Sequence, residues 1–197
     1  MIKKHFIRIV LLLFGGMLSG AILAATPSAS MLANTCAGCH GTNGSSSGPA
    51  SPTIAGMSKD NFIETMKAYQ GGERPSTIMT RIAKGYTDKE IKLMAGFFSK
   101  QKFIRKKQKY NASRAKFGKK LHKKYCEKCH EKGGRSADDD AGILAGQWKP
   151  YLQYSMLDFT KGGREMEKKM KKKLDALQKD HGDKGIDALI NYYASQK

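Results

Sequence analysis

The chain has 197 residues, of which 36 are lysine or arginine and 17 aspartate or glutamate, a formal net charge of +19. That length holds one large domain or two small ones, and a charge of this size points to an anionic partner: nucleic acid for a cytosolic protein, an acidic protein surface or anionic membrane face for an exported one. No G-x-G-x-x-G run with βαβ surroundings is present, which excludes a dinucleotide-binding domain.

Residues 1–25 read as a secretory signal peptide. Met1 to Arg8 carries Lys3, Lys4 and Arg8, Ile9 to Leu23 is almost wholly apolar, and Ala24 and Ala25 give a small-residue cleavage end. The apolar run is too short and Gly-rich for a comfortable span, so no stable membrane span is expected after cleavage, and an uncleaved anchor is the lesser reading. The expected location is the periplasm, which argues against nucleic acid as the partner. The mature part keeps 33 basic and 17 acidic residues.

Ser28 to Thr35 reads as a helix leading into Cys36-Ala37-Gly38-Cys39-His40. The same string returns as Cys126-Glu127-Lys128-Cys129-His130, and these two strings hold all four cysteines. In an exported protein C-x-x-C-H marks covalent attachment of haem c. Two thiols add to the haem vinyl groups, and the following imidazole, His40 or His130, binds the iron. The cysteines are one helical turn apart, which sets both sulfurs on the porphyrin edge. A four-cysteine zinc site leaves both histidines unexplained, and thioredoxin-like pairs lack a βαβ pattern; a pair of tight disulfides is the remaining alternative.

Downstream of the first string, Gly44 to Pro52 is a polar loop and Lys59 to Gln70 a helix. Thr87 to Gln101 is another, with Ile91, Met94, Phe97 and Phe98 at helical spacing and Thr87-Asp88-Lys89-Glu90 in the form of a capping box. Gln101 to Ser113, rich in Lys and Gln, reads as a solvated linker. Ala115 to Tyr125, Pro150 to Thr160 and Gly185 to Gln196 then repeat the helices, with Ile186, Leu189, Ile190 and Tyr193 on the apolar face of the last. His122 reads as exposed on a basic helix, His181 as part of a Gly- and Asp-rich loop, and Trp148 as haem-pocket packing. Asp138 to Asp140 lack the glycine and distal glutamate of a calcium loop and read as surface charge.

The two haem strings lie 90 residues apart, and that offset persists: Ile54-Ala55-Gly56 matches Leu144-Ala145-Gly146, Met66 matches Met156, Tyr69 matches Phe159, and Gly71-Gly72 matches Lys161-Gly162. The expectation is an all-α protein of two domains of one design, 26–105 and 106–197, the latter including the linker. Each is small for a self-sufficient core, and a buried haem supplies the missing apolar contact.

Each iron needs a second axial ligand, and a thioether is the usual one in electron carriers. Met79, between the Gly71-Gly72 turn and the last helix of the first copy, fills that part. An offset of 90 from Met79 lands on Lys169, so the second copy is read with Met170, because Leu174 and Leu177 follow it as Ala83 and Tyr86 follow Met79. Met166 stays open as the alternative, since Met166, Met170, Leu174 and Leu177 also fit one apolar helix stripe. Met66 and Met94 read as core filler.

The stretches CAGCHG at 36, GPASPTIAGM at 48, STIMTRIAKGY at 76, LHKKYCEKCH at 121, ILAGQWKPYLQYSM at 143, MEKKMKKKL at 166 and YYASQK at 192 resemble the dihaem cytochrome subunit of flavocytochrome c sulfide dehydrogenases over nearly the whole mature chain. The resemblance implies two tandem cytochrome c-like domains with one covalent haem each. It also implies a periplasmic flavoprotein partner that carries FAD, oxidises sulfide and passes electrons to these haems, so that this chain is an electron-transfer subunit and not itself an enzyme. The lysine-rich stretch Lys168 to Lys173 departs from the pattern. The basic charge is assigned to an acidic electron-acceptor protein. The alternatives are a free dihaem carrier to a terminal oxidase and a dihaem peroxidase.

Overall fold

The computed structural model describes residues 26–137 and 141–197. The signal peptide reading and the Asp138 to Asp140 reading lie outside the described residues. Every regular element among them is helical. The first copy holds α1 (Ala29–Asn34), α2 (Ala37–His40), α3 (Lys59–Gly71), α4 (Met79–Ala83) and α5 (Asp88–Phe98). The second holds α6 (Ala112–Leu121), which runs into a turn of π-helix at His122–Cys126, then α7 (Lys149–Thr160) and α8 (Lys168–Ala194). None of these helices is long and apolar enough to cross a membrane.

Local chemistry sets the boundaries. Ser28 accepts from Met31 N, Ser58 from Asn61 N and Asn111 from Arg114 N, each satisfying one free donor of a first turn. Thr87 and Glu90 form the expected capping box at α5. The last helix differs from expectation. It runs from Lys168 to Ala194 as two helical segments that meet at a kink at Gly182 (φ 57°, ψ −155°), where the missing Cβ permits the non-helical backbone, and His181 ends the first segment instead of lying in a loop.

Two cores result. Leu32, Phe62, Met66, Ile91, Met94 and Phe98 centre the first, so Met66 and Met94 are core residues as their helical spacing predicts. Leu121, Tyr125, Leu152, Leu177, Leu189 and Tyr193 centre the second. At Gly118, α6 and α8 approach so closely that a Cβ would collide with the carbonyl oxygen of Ala188.

The repeat is visible bond by bond. Ile54 and Ala55 donate to Gly44 O, as Leu144 and Ala145 donate to Gly134 O, and Gly56 donates to Phe98 O at 2.9 Å as Gly146 does to Tyr193 O at 2.8 Å. The offset is therefore 90 through residue 56 and 95 at the last helix, the extra residues lying in α8.

The halves meet along a polar seam. The buried Gln147 amide accepts from Thr53 N (3.0 Å) and donates to Thr53 O (2.9 Å). Arg74, also buried, donates to Thr65 in its own half and to the Tyr151 hydroxyl in the other (3.0 Å). Ninety residues on, Arg164 repeats the local bond by donating to Ser155 (3.1 Å); burial, with Arg74 close by, pulls it down to about 10. Trp148, expected in a haem pocket, lies on the seam. A Cβ at Gly48 would be 2.7 Å from its ring, and its indole N–H donates to Ser46 O. The linker is likewise pinned rather than free: Phe103 is buried, Arg105 donates to Ala145 O, and the Gln108 amide bridges Gln147 O and Lys149 N.

Candidate haem-binding sites

Each C-x-x-C-H string folds as a single tight turn. His40 N and Cys39 N both donate to Cys36 O (2.8 and 3.3 Å), and His130 N and Cys129 N both donate to Cys126 O (2.9 and 3.2 Å). This turn brings each cysteine pair and its histidine together, which is the arrangement two thioether bonds and one axial imidazole require. All four cysteines are free thiols, Cys39 and Cys129 exposed, Cys36 and Cys126 half-buried. Burial raises the Cys36 thiol and pushes Cys126 up to about 11. A redox dithiol works through a depressed thiol pKa, and Cys36 and Cys126 are shifted the other way.

His40 has the form of a metal ligand. It is buried, and its Nδ1–H donates to Pro52 O at 2.8 Å, which fixes the tautomer and leaves the Nε2 lone pair free. Burial lowers its pKa, keeping the imidazole neutral and available to a cation. His130 holds the matching place, half-buried.

Met79 begins α4, is half-buried and packs with Cys36 against the first core. The residue four positions later, Ala83, is fully buried, and Leu174, four positions after Met170, is buried. Met170 itself is half-buried on the first turn of α8, where the Glu167 carboxylate caps its N–H and that of Lys169. Met166 packs with Cys126 against the second core, and Met170 is not among the side chains that do. His181 stacks edge-on against Phe117 and Tyr125.

Sequence reasoning misplaced His122. It is 1% exposed, its Nδ1 pairs with the Tyr193 hydroxyl (2.9 Å) and its Nε2 with Glu127 (2.5 Å). The 90-residue offset carried the signal, because it superposes His122 on the core residue Leu32.

The cytochrome c family profile matches residues 25–102. The chain is 46% identical over 68 residues to the cytochrome subunit of sulfide dehydrogenase of Chlorobaculum tepidum, covering 34% of this chain and 61% of that one, less than two thirds of its length. It is 36% identical over 70 residues to cytochrome c-554(548) of Halomonas halodenitrificans, 34% of this chain and 84% of that. In fold it superposes on the crystal structure of reduced recombinant cytochrome c4 from Pseudomonas stutzeri with a TM-score of 0.71, over 87% of this chain and all of that one, at 22% identity. The all-α architecture is thus that of two tandem cytochrome c domains, and with 36% identity over 84% of cytochrome c-554(548) added to the family profile, the chain belongs to the cytochrome c family.

Proposed function

We propose that this chain is a periplasmic dihaem cytochrome c, domains 26–105 and 106–197 following a cleaved signal peptide, and that it serves as the electron-transfer subunit of an FAD-containing sulfide dehydrogenase. The observation that carries the reading is the doubled C-x-x-C-H turn on two copies of one fold, joined to the 46% identity with a sulfide dehydrogenase cytochrome subunit. Bound haem supplies a one-electron couple at iron. Cys36 and Cys39, and Cys126 and Cys129, would anchor it; Nε2 of His40 and of His130 would hold one axial position, and Met79 and Met170 the other. Two such sites match the two electrons that sulfide gives on oxidation to the zero-valent level, with a flavin on the partner releasing them singly.

The two copies present different surfaces beside the axial methionines. Exposed Ile78 and Ile82 flank Met79, whereas the places equivalent to them, 91 residues on, are the exposed Lys169 and Lys173 flanking Met170. The apolar face suits a permanent subunit contact and the cationic one an acidic acceptor met transiently.

The test is to purify the tagged full chain from its own periplasm. Copurification of a flavoprotein, with haem reduction on adding sulfide, supports the subunit. A monomer that carries two haems and no flavin supports a free carrier instead, a reading favoured by the likeness in fold to cytochrome c4 over the whole of that chain.

A further inference from the structure

The two copies differ at three matched positions beside the haem string. The first copy has Leu32, Ala37 and Phe98, an apolar set with Leu32 and Phe98 buried in the core. The second has His122, Glu127 and Tyr193, matched through the 90-residue offset and, for Tyr193, through the shared bond from Gly56 or Gly146. Polar groups in a core cost stability unless satisfied, and here they are satisfied as a chain. The His122 Nε2–H donates to Glu127 Oε2, the Tyr193 hydroxyl lies 2.9 Å from His122 Nδ1, and that same hydroxyl is near enough to Cys126 Sγ for the two to interact electrostatically. In the loaded protein this sulfur stands for the thioether that joins the second haem. Glu127 also accepts from Gly133 N, and its side chain is 41% exposed, so the hydrogen-bonded chain runs from the buried Tyr193 hydroxyl beside that sulfur to bulk water.

We propose that His122 is the proton-accepting site of the second haem, gaining one proton at Nδ1 when that haem is reduced, with the Glu127 carboxylate holding the resulting imidazolium at Nε2–H. The step balances: bound haem would gain one electron from the reduced flavin of the partner, His122 would gain one proton from solvent, and the net charge of the site is unchanged. With His122 neutral, the Tyr193 hydroxyl donates to Nδ1. Once Nδ1 is protonated it donates to Tyr193, whose proton turns to the Cys126 sulfur. A negative increment at the haem is thereby met by a positive one and by a donor aimed at its thioether.

Burial lowers His122, with Glu127 opposing, so the oxidised protein begins with a neutral ring. Burial places the Tyr193 hydroxyl far above physiological pH, and Tyr192, whose ring also touches His122, is raised as well. Burial would raise Glu127, but bonds from Gly133, His122 and Lys132 outweigh it and keep the carboxylate ionised. Of the cations nearby, Arg135 acts on Tyr192 and Lys173 on Cys126. His122 is therefore the member of the set that is neutral in the oxidised protein and still able to gain a proton, since Glu127 is ionised and both tyrosines are raised.

The inference rests on a second haem being present, which mass spectrometry of the denatured protein checks separately. Its own test is equilibrium redox titration of the full-length holoprotein between pH 4.5 and 8, the first haem being identified as the one whose potential Met79→Ala displaces. The expected result is a first-haem potential independent of pH and a second that falls as pH rises, by up to ~59 mV for each tenfold drop in proton concentration. His122→Leu, which installs the first copy's residue, removes the slope, and Tyr193→Phe weakens it. A second-haem potential flat with pH in the native protein overturns the proposal even if neither variant folds, and so does a slope that survives His122→Leu.

Discussion

Met79 and Met170 stand at matched places on the first turns of α4 and α8. Replacing a thioether ligand by alanine opens an iron to small molecules and lowers its potential. Met79→Ala should therefore admit carbon monoxide to the reduced first haem, and Met170→Ala to the second, each read from the Soret shift. Met166 packs against the second core as Met79 does against the first, so Met166→Ala should cost stability, and if Met170 is the ligand it leaves both haems closed. Carbon monoxide binding in Met166→Ala alone would move the ligand back by one helical turn. Acid sensitivity also belongs to single residues. His122 is held below its ordinary value in the fold, so its contribution is present above the unfolded imidazole pKa and lost as pH falls through the folded one. Glu127 and Asp180 are also depressed, so their contributions disappear at lower pH, as the carboxylates protonate. The thermal midpoint of the oxidised holoprotein should decline in two stages on acidification, and His122→Leu should erase the upper one. A midpoint constant from pH 7 to 5 in the native protein would contradict this.

Among the elements, the contact between α6 and α8 is the most constrained. Gly118→Ala drives a methyl group into the backbone at Ala188, and overpacking against a main chain belongs at the upper end of its usual range, about 3 kcal/mol. Gly96 lies inside α5 with open space where a Cβ would go, so Gly96→Ala should stabilise by ~0.5–1 kcal/mol. Denaturant midpoints of the two variants should move in opposite directions. Helix starts were legible in the sequence because caps are local chemistry: Ser58 and Thr87 each declare the helix that follows. The first segment of α8 was not: Gly182, Asp183 and Gly185 form a breaker cluster by composition and the chain does kink at Gly182, but Leu174 and Leu177 before the kink pack on the same core as Leu189 after it. Nor was the linker, whose lysines hide Phe103, Arg105 and Gln108, side chains that find partners only once the second copy is folded beside them. The tight turns of the two C-x-x-C-H strings were legible because their residues are contiguous, whereas the buried His122 required reading one copy against the other.

For the whole molecule, charge is unevenly divided: residues 26–105 carry 10 basic and 5 acidic side chains, residues 106–197 carry 23 and 12. Seven of those basic residues lie between Lys161 and Lys173, around Met170. Reduction of an acidic acceptor should slow several-fold between low and 0.2 M salt, while the complex with a flavoprotein subunit stays intact on gel filtration over the same range. The opposite pattern would exchange the two surfaces.

The chain has one tryptophan, and its ring rests on a glycine of the other half. Trp148 is thereby a built-in optical gauge of the seam, its emission quenched by energy transfer to the haems for as long as the halves stay together. The seam is closed by buried bonds from Gln147 and Arg74, which cannot be released to water one at a time without leaving unpaired groups behind. Indole emission and helical dichroism should consequently change together during a denaturant titration, as one cooperative event. Emission rising while the helices are still intact would instead reveal an opened form in which the two halves swing on the linker, with the distance an electron must cross between them no longer fixed.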